Sequence, residues 1–198
     1  MKSADIKKIR KKMEKVLDNA RFEHTLGVAY TAACLAMRYD VDITKAQVAG
    51  LLHDCAKCLT NEKRISICKK HNIQMNEAEL KNPQLLHAKV GSFLAMEEFD
   101  IHDQDIINAI LNHTTGRPDM SPLEKIIYIA DYIEPGRKQA PNLTSLRKMA
   151  FEDPDKALLM ILEDTLSYLQ STGSVVDAMT QKTYESYVQQ TEREVDTH

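Results

Sequence analysis

Five short stretches of this 198-residue sequence hold the side chains best suited to chemistry. His24 sits in Arg21-Phe-Glu-His-Thr-Leu-Gly, and His53 and Asp54 are adjacent in Leu-Leu-His-Asp-Cys-Ala-Lys57. His87 follows a Leu-Leu pair, His113 precedes Thr-Thr-Gly, and Asp131 is a lone carboxylate in the apolar run 127–133. A single histidine on an amphipathic helix is ordinarily a satisfied polar or core residue, and Asp131 alone reads equally as a partner for Arg137. Taken together, four imidazoles and two carboxylates beside apolar runs are costly to bury unless they are paired or coordinate a metal. That donor set suits iron, manganese, zinc or cobalt. No His-Glu-x-x-His pair lies on one helix, so a metal site has to be assembled from separate helices, and spacing alone leaves both readings open.

The four cysteines, at 34, 55, 58 and 68, fall within one third of the chain and mostly inside helical patterns. Cys55-Ala-Lys-Cys58 has the spacing of zinc and thiol-redox sites. With no second such pair and no surrounding βαβ pattern, it reads as small core or surface residues, and no disulfide framework is expected. His71, His102 and His198 lie outside these motifs and receive no role.

With 26 Lys+Arg against 29 Asp+Glu, the net charge of −3 excludes the strongly basic footprint of a non-specific nucleic-acid binder, so no nucleic-acid partner is expected. The Lys-rich start (Lys7, Lys8, Arg10, Lys11, Lys12, Lys15) reads as a solvated helix face. Hydrophobic residues at 43% and charged residues at 28% match an ordinary globular protein and argue against disorder. No apolar stretch approaches the ~18 residues of a membrane span. The charged N-terminus lacks the apolar core of a signal peptide, so a soluble, cytoplasmic protein without a membrane partner is expected. A chain of this length buries roughly 70% of its unfolded surface, ample for one core.

The elements that must position these residues are helical. Ile6, Ile9, Met13, Val16 and Leu17 recur at helical spacing, and a second run holds His24, Val28, Ala32, Leu35 and Ala36. Thr44-x-x-Gln47 suggests a capping box opening a third helix that runs towards Lys57. Shorter helices are expected from Asn61 and around 76–80, with longer ones over 85–99 and 103–113. Ser121-Pro122-Leu123-Glu124 combines an N-cap, a first-position proline and a third-position glutamate, predicting a helix to Ile133 that breaks at Glu134-Pro135-Gly136. Asp153-Pro154 repeats the start signal, and Gly173 reads as the cap after the long helix that follows. With no period-2 strand and no marked boundary, the expectation is one all-α domain, a helical bundle of about eight to ten helices spanning residues 1–198.

His24, the His53-Asp54 doublet and Asp131 reproduce the H…HD…D pattern of the HD-domain metal-dependent phosphohydrolases. The strings EHTLGVAYTA at 23–32, LLHDCAK at 51–57 and HTTGRPDMSPLEKIIYIADYIEPGR at 113–137, with Leu146-Arg147 following, make the resemblance closer. Over about residues 5–187 the chain resembles the bacterial symmetrical bis(5′-nucleosyl)-tetraphosphatases. The bare HD doublet marks only the superfamily, whereas the HTTG and ADYIEPGR blocks are specific to that family.

The resemblance implies an HD fold and hydrolysis of diadenosine tetraphosphate, the dinucleoside polyphosphate substrate, to two molecules of ADP. It makes His24, His53, Asp54 and Asp131 the metal ligands, with iron as the expected ion and manganese, cobalt or zinc as alternatives. His87 and His113 then lie beside the metal, either holding a second ion or contacting substrate phosphate. Arg21, Lys57 and Arg137 fall where phosphate contacts are expected, and the substrate is also expected to touch His24 and Asp131. The family's Ile/Val-His-Pro-x-Thr segment has no His-Pro pair here. Residues 175–180 stand in its place, with Val176 and Thr180 as the candidate nucleotide contacts, and Asp177 reads equally as an N-cap of the last helix.

A divalent or trivalent ion acidifies its bound water, and the resulting hydroxide is expected to attack an inner phosphorus with ADP as leaving group. Asp54, Lys57, His87 and His113 are the expected catalytic set, because phosphoryl transfer asks chiefly for positioning and charge neutralisation. The rival readings are an HD phosphohydrolase of another nucleotide and a non-catalytic nucleotide- or metal-binding sensor. The oligomeric state, a homodimer included, is left open by the sequence.

Overall fold

The computed structural model describes residues 3–196, and side chains over 5–193. Eleven α-helices occur among the described residues, and no strand. They are α1 (Ser3–Val16), α2 (Asn19–Arg38), α3 (Ile43–Leu52), α4 (Asn61–Lys70), α5 (Glu77–Lys81), α6 (Leu86–Phe99), α7 (Gln104–Asn112), α8 (Pro122–Ile133), α9 (Leu143–Glu152), α10 (Pro154–Ser171) and α11 (Ala178–Asp196). A 3-10 turn, Pro83–Leu85, leads into α6. The all-α expectation holds, with one helix more than the expected range. The helix that carried no start signal is α9. It begins after Asn142 in the left-handed region, with no side-chain cap.

The central layer is α2, α3, α7 and α8, with α10 against the far side of α8 and α6 against α7. Close approach of α2 and α3 follows from composition, because α2 presents Ala29, Ala32, Ala33 and Ala36. At Gly50 on α3, an added Cβ would stand 2.7 Å from the Ala29 Cα, so the two backbones meet where only glycine fits. Buried Ile126, Ile127 and Ile129 of α8 join Val28 and Leu35 of α2 and Leu158, Ile161 and Leu162 of α10 in the main core. Each such aliphatic side chain contributes about 1.5–3 kcal/mol through burial. A smaller cluster of Ala56, Cys68, Leu86 and Val90 seats α4 against the start of α6.

Several start and stop signals act as the sequence suggests. Ser121 and Glu124 form a reciprocal capping box with Pro122 at the first turn, and α8 ends at Ile133. Asp153 caps α10, and Gly173 follows its end at φ +63°. The start of α3 differs: Asp42, not Thr44, is its cap and accepts from the Lys45 amide. That helix also stops at Leu52 rather than running to Lys57. Tighter i→i+3 bonds, Cys55 to Leu52 and Lys57 to Asp54, wind the chain onward instead. Beyond α8, the Arg147 guanidinium donates to the carbonyls of Ile133, Glu134 and Arg137, satisfying a helix end and holding the 134–137 segment. No helix among the described residues is long and apolar enough to cross a membrane.

Candidate metal centre

Five elements converge on one point. His24 comes from the second turn of α2, and His53 and Asp54 from the end of α3. His87 sits in the first turn of α6, His113 at the end of α7, and Asp131 in the last turns of α8. His24 Nε2 stands 3.0 Å from Asp131 Oδ1 and 4.0 Å from Asp54 Oδ2. His53 Nε2, on a residue with no exposed surface, lies 3.6 Å from Asp54 Oδ2 and 3.8 Å from Asp131 Oδ1. A second constellation adjoins the first, with His87 Nε2 at 3.3 Å and His113 Nε2 at 3.7 Å from Asp54 Oδ1, and the two ring nitrogens 3.1 Å apart.

His24 Nε2, His53 Nε2 and Asp54 Oδ1 are buried without a hydrogen-bond partner among the described residues. Buried polar atoms are ordinarily satisfied, so three orphans aimed into one space call for a group that accepts lone pairs. Candidate donors from His24, His53 and Asp131 lie within 4.8 Å of one another, as do those of His53, Asp54 and His113. The residues therefore fit a divalent cation of the imidazole-and-carboxylate class.

The electrostatics of the metal-free cluster agree. Burial pushes the His53 imidazole down to about 4 despite the Asp54 and Asp131 carboxylates, so it is neutral at neutral pH and free to ligate. Burial alone would raise the Asp54 and Asp131 carboxyls; the surrounding imidazoles, His53 foremost for Asp54 and His24 for Asp131, instead hold both below the usual range. At His24 burial opposes the charge, yet the Asp131 and Glu134 carboxylates raise its affinity for a proton. The His87 imidazole is held well below its ordinary value by burial and by the Lys57 ammonium.

The expected phosphate-binding cations all reach the centre. Arg21 Nη1 donates to Asp54 Oδ2 at 2.7 Å. Lys57 Nζ lies 3.2 Å from His87 Nε2 and 3.9 Å from Asp54 Oδ1, although no continuous helix carries it there. Arg137 Nη2 donates to the Asp131 carbonyl and approaches its carboxylate at 3.2 Å. An open cleft of about 720 Å³, lined by Asp18, Arg21, His24, Glu134, Arg137 and Lys138 among others, leads to the centre.

A model of the HD domain matches residues 21–136. The chain is 39% identical over 168 residues to the symmetrical bis(5′-nucleosyl)-tetraphosphatase of Bacillus subtilis (strain 168), covering 85% of this chain and 89% of that one. The chain belongs to this family of HD-domain proteins. The namesake from Halalkalibacterium halodurans is 40% identical over 169 residues, with the same coverage. A solved structure of a predicted HD superfamily hydrolase involved in NAD metabolism, from Clostridium acetobutylicum, matches with a TM-score of 0.90 and 44% identity over 96% of this chain and 99% of that one.

The C-terminal candidates stand apart from this HD centre. Val176 is half-buried and Thr180 buried, and no hydrogen bond or ion pair ties either to the cluster among the described residues. Asp177 accepts from the Met179 amide as a cap of α11 and from Asn76 Nδ2 at 2.9 Å. The helix reaches the centre indirectly. Thr183 Oγ1 donates to the Thr115 carbonyl, and the Tyr187 hydroxyl accepts from the Met120 amide, so α11 buttresses the loop that follows His113.

Sequence reasoning missed three neighbours. Thr114 Oγ1 lies 3.2 Å from both His87 Nε2 and His113 Nε2, and its place directly after His113 was the available signal. Arg64, 3% exposed on α4, keeps Nε and Nη1 buried and unpartnered, with nothing in the local sequence to mark it. Glu134, buried at the end of α8, is the third.

Proposed function

We propose that this chain hydrolyses diadenosine tetraphosphate symmetrically, adding water between the second and third phosphates to yield two ADP. The observation that carries the reading is the set of inward-facing, unpartnered donors on His24, His53 and Asp54 beside Asp131, in a chain similar along most of its length to proteins of that name. In this reading residues 1–198 act as one HD-domain unit in the cytoplasm, and His24, His53, Asp54 and Asp131 hold the ion, which we assign as iron. When bound, such an ion neutralises phosphate charge and acidifies water to near neutral pH.

The remaining roles belong to the protein. Arg21 and Arg137, each anchored to a carboxylate of the cluster, present their remaining N–H groups to the polyphosphate. Lys57 stands beside His87, and burial pushes its ammonium below the ordinary lysine range. Amine and imidazole therefore compete for a proton, which a phosphate entering between them stabilises. Nδ1 of His87 and of His113 donates to the Gln84 and Ile110 carbonyls, so each binds a non-bridging oxygen through Nε2 only once that atom has taken up a proton, at His87 the one it shares with Lys57. Val176 and Thr180 contact the nucleoside end.

Product analysis tests this reading. Metal-loaded protein is incubated with diadenosine tetraphosphate and the nucleotides are separated by ion exchange. ADP as sole product is expected; ATP plus AMP, or no turnover with metal bound, overturns the assignment.

A further inference from the structure

Four histidines line the centre, and three are held in the same way. His53 Nδ1 donates to the Gly50 carbonyl at 2.7 Å, His87 Nδ1 to Gln84 at 2.6 Å, and His113 Nδ1 to Ile110 at 2.7 Å. Each uses the carbonyl three residues back. For His53 and His113 these are the open carbonyls of a helix end, which have no amide partner in the ladder. An N–H committed to a carbonyl leaves Nε2 as the atom that offers a lone pair to the centre.

His24 has no such carbonyl, because it sits inside the twenty-residue helix α2, where the preceding carbonyls already accept helical amides. Its Nδ1 instead meets Glu134 Oε1 at 3.2 Å. A carboxylate only accepts, so Glu134 favours the proton on Nδ1, and Nε2, which shares a proton with Asp131 in the metal-free cluster, is left to ligate once an ion takes that proton's place. Glu134 is 4% exposed, its other oxygen accepts the Gly136 amide at 2.5 Å, and Arg147 grips its carbonyl.

The carboxylate reaches His24 only by lying against α2 at Gly27, one turn further along the same face. A Cβ added at Gly27 would stand 2.6 Å from Glu134 Oε2. Glycine inside a helix is destabilising relative to alanine, so its presence in α2 calls for a compensating use.

We propose that Glu134 is a positioning residue that fixes the ring and tautomer of His24 for metal ligation, and that Gly27 is the gap in α2 that admits its carboxylate. The assignment rests on reading the cluster as a metal centre, but not on the identity of the substrate. It makes the ADYIEPGR segment a functional unit in which Asp131 ligates, Glu134 orients the ligand on the neighbouring helix, and Gly136 supplies the amide that holds Glu134.

Gly27→Ala and Glu134→Gln test it in the full-length protein, with Mn²⁺ as the probe. Mn²⁺ affinity is measured by calorimetry, thermal unfolding of the metal-free proteins is measured in parallel, and turnover is followed at saturating Mn²⁺. Both variants should weaken Mn²⁺ binding about 10–100-fold, the usual effect of removing a group that orients a ligand. Metal-free Gly27→Ala should unfold no earlier than wild type, because alanine is the better helix residue and the atom it displaces is the end of a flexible side chain. A purely structural role predicts the reverse: lower melting temperatures with affinity intact.

Unchanged Mn²⁺ affinity in both variants, with wild type binding normally, overturns the role of Glu134 and leaves the hydrolase reading standing. Weakened binding in the variants of a protein that does not cleave diadenosine tetraphosphate upholds Glu134 and overturns the substrate instead. A wild type that binds neither Mn²⁺ nor Fe²⁺ overturns both.

Discussion

The two walls of the centre are built on different principles. On one wall, His53, His87 and His113 are held by main-chain carbonyls three residues back, so their orientation is set by helices α3, α6 and α7 and the turns at their ends. On the other, the rings and carboxylates are held by side chains: Glu134 meets His24, while Arg137 meets the Asp131 carboxylate. A backbone-held histidine cannot be misoriented without disturbing a helix end. A side-chain-held one can be released by a single methyl group one turn along its own helix, at Gly27. Side chains of one centre thus differ widely in how easily mutation separates position from fold.

Asp54 spans both walls, contacting Arg21 at 2.7 Å and His87 at 3.3 Å, so its removal should dismantle both at once. Asp54→Ala is expected to lose bound metal, by elemental analysis, and all detectable ADP release; an active, metal-loaded variant would falsify the assignment. Lys57→Ala, on the backbone-held wall, should keep the metal while losing about 2–4 kcal/mol of transition-state stabilisation, read as the fall in kcat/KM from steady-state kinetics.

Acid separates the walls by sign. His53 is lowered to about 4 when folded against 6.5 unfolded, so between those values the unfolded chain binds more protons. Its stabilising effect is complete above pH 6.5 and is lost as pH falls towards 4, by roughly 3 kcal/mol, and His87 acts in the same direction. His24 is raised and acts oppositely, adding stability in acid that disappears as pH rises through its folded value. Melting temperatures of chelator-treated protein should therefore fall between pH 6.5 and 4, and fall further in His24→Asn; a flat profile would contradict the buried, neutral His53.

The smallest effect concerns Arg64, whose buried guanidinium lacks partners for Nε and Nη1 near the backbone-held wall. Arg64→Met, which keeps the stem and removes the unpaired charge, should raise stability by about 1 kcal/mol in denaturant titrations.

Much of this was legible along the chain. The capping box at Ser121, the proline start at Asp153 and the break after Ile133 are local signals, resolved within a turn or two of backbone, and they act as read. The cluster was legible only in part: imidazoles and carboxylates beside apolar runs must be accounted for when buried, but that left a bland pairing and a metal site both open, and the expected ligand set came from the resemblance to the HD-domain family. The start of α3 was misread because Thr44 and Asp42 both carry cap chemistry, and which one closes the first turn depends on where the chain enters it. Helix α9 was missed because it has no cap, and its seat is the packing of Leu146 and Ala150 in the core.

By itself the sequence determined the helical class and the ends of most helices, and marked six side chains as costly to bury alone, since period, capping and burial cost are properties of residues and their near neighbours. Only the tertiary structure decided which nitrogen of each ring faces inward, that Lys57 reaches His87 without a helix to carry it, and that Gly27 is reserved for Glu134. Those depend on atoms brought within 2.5–4 Å from positions as far as 110 residues apart, a separation that no local pattern encodes.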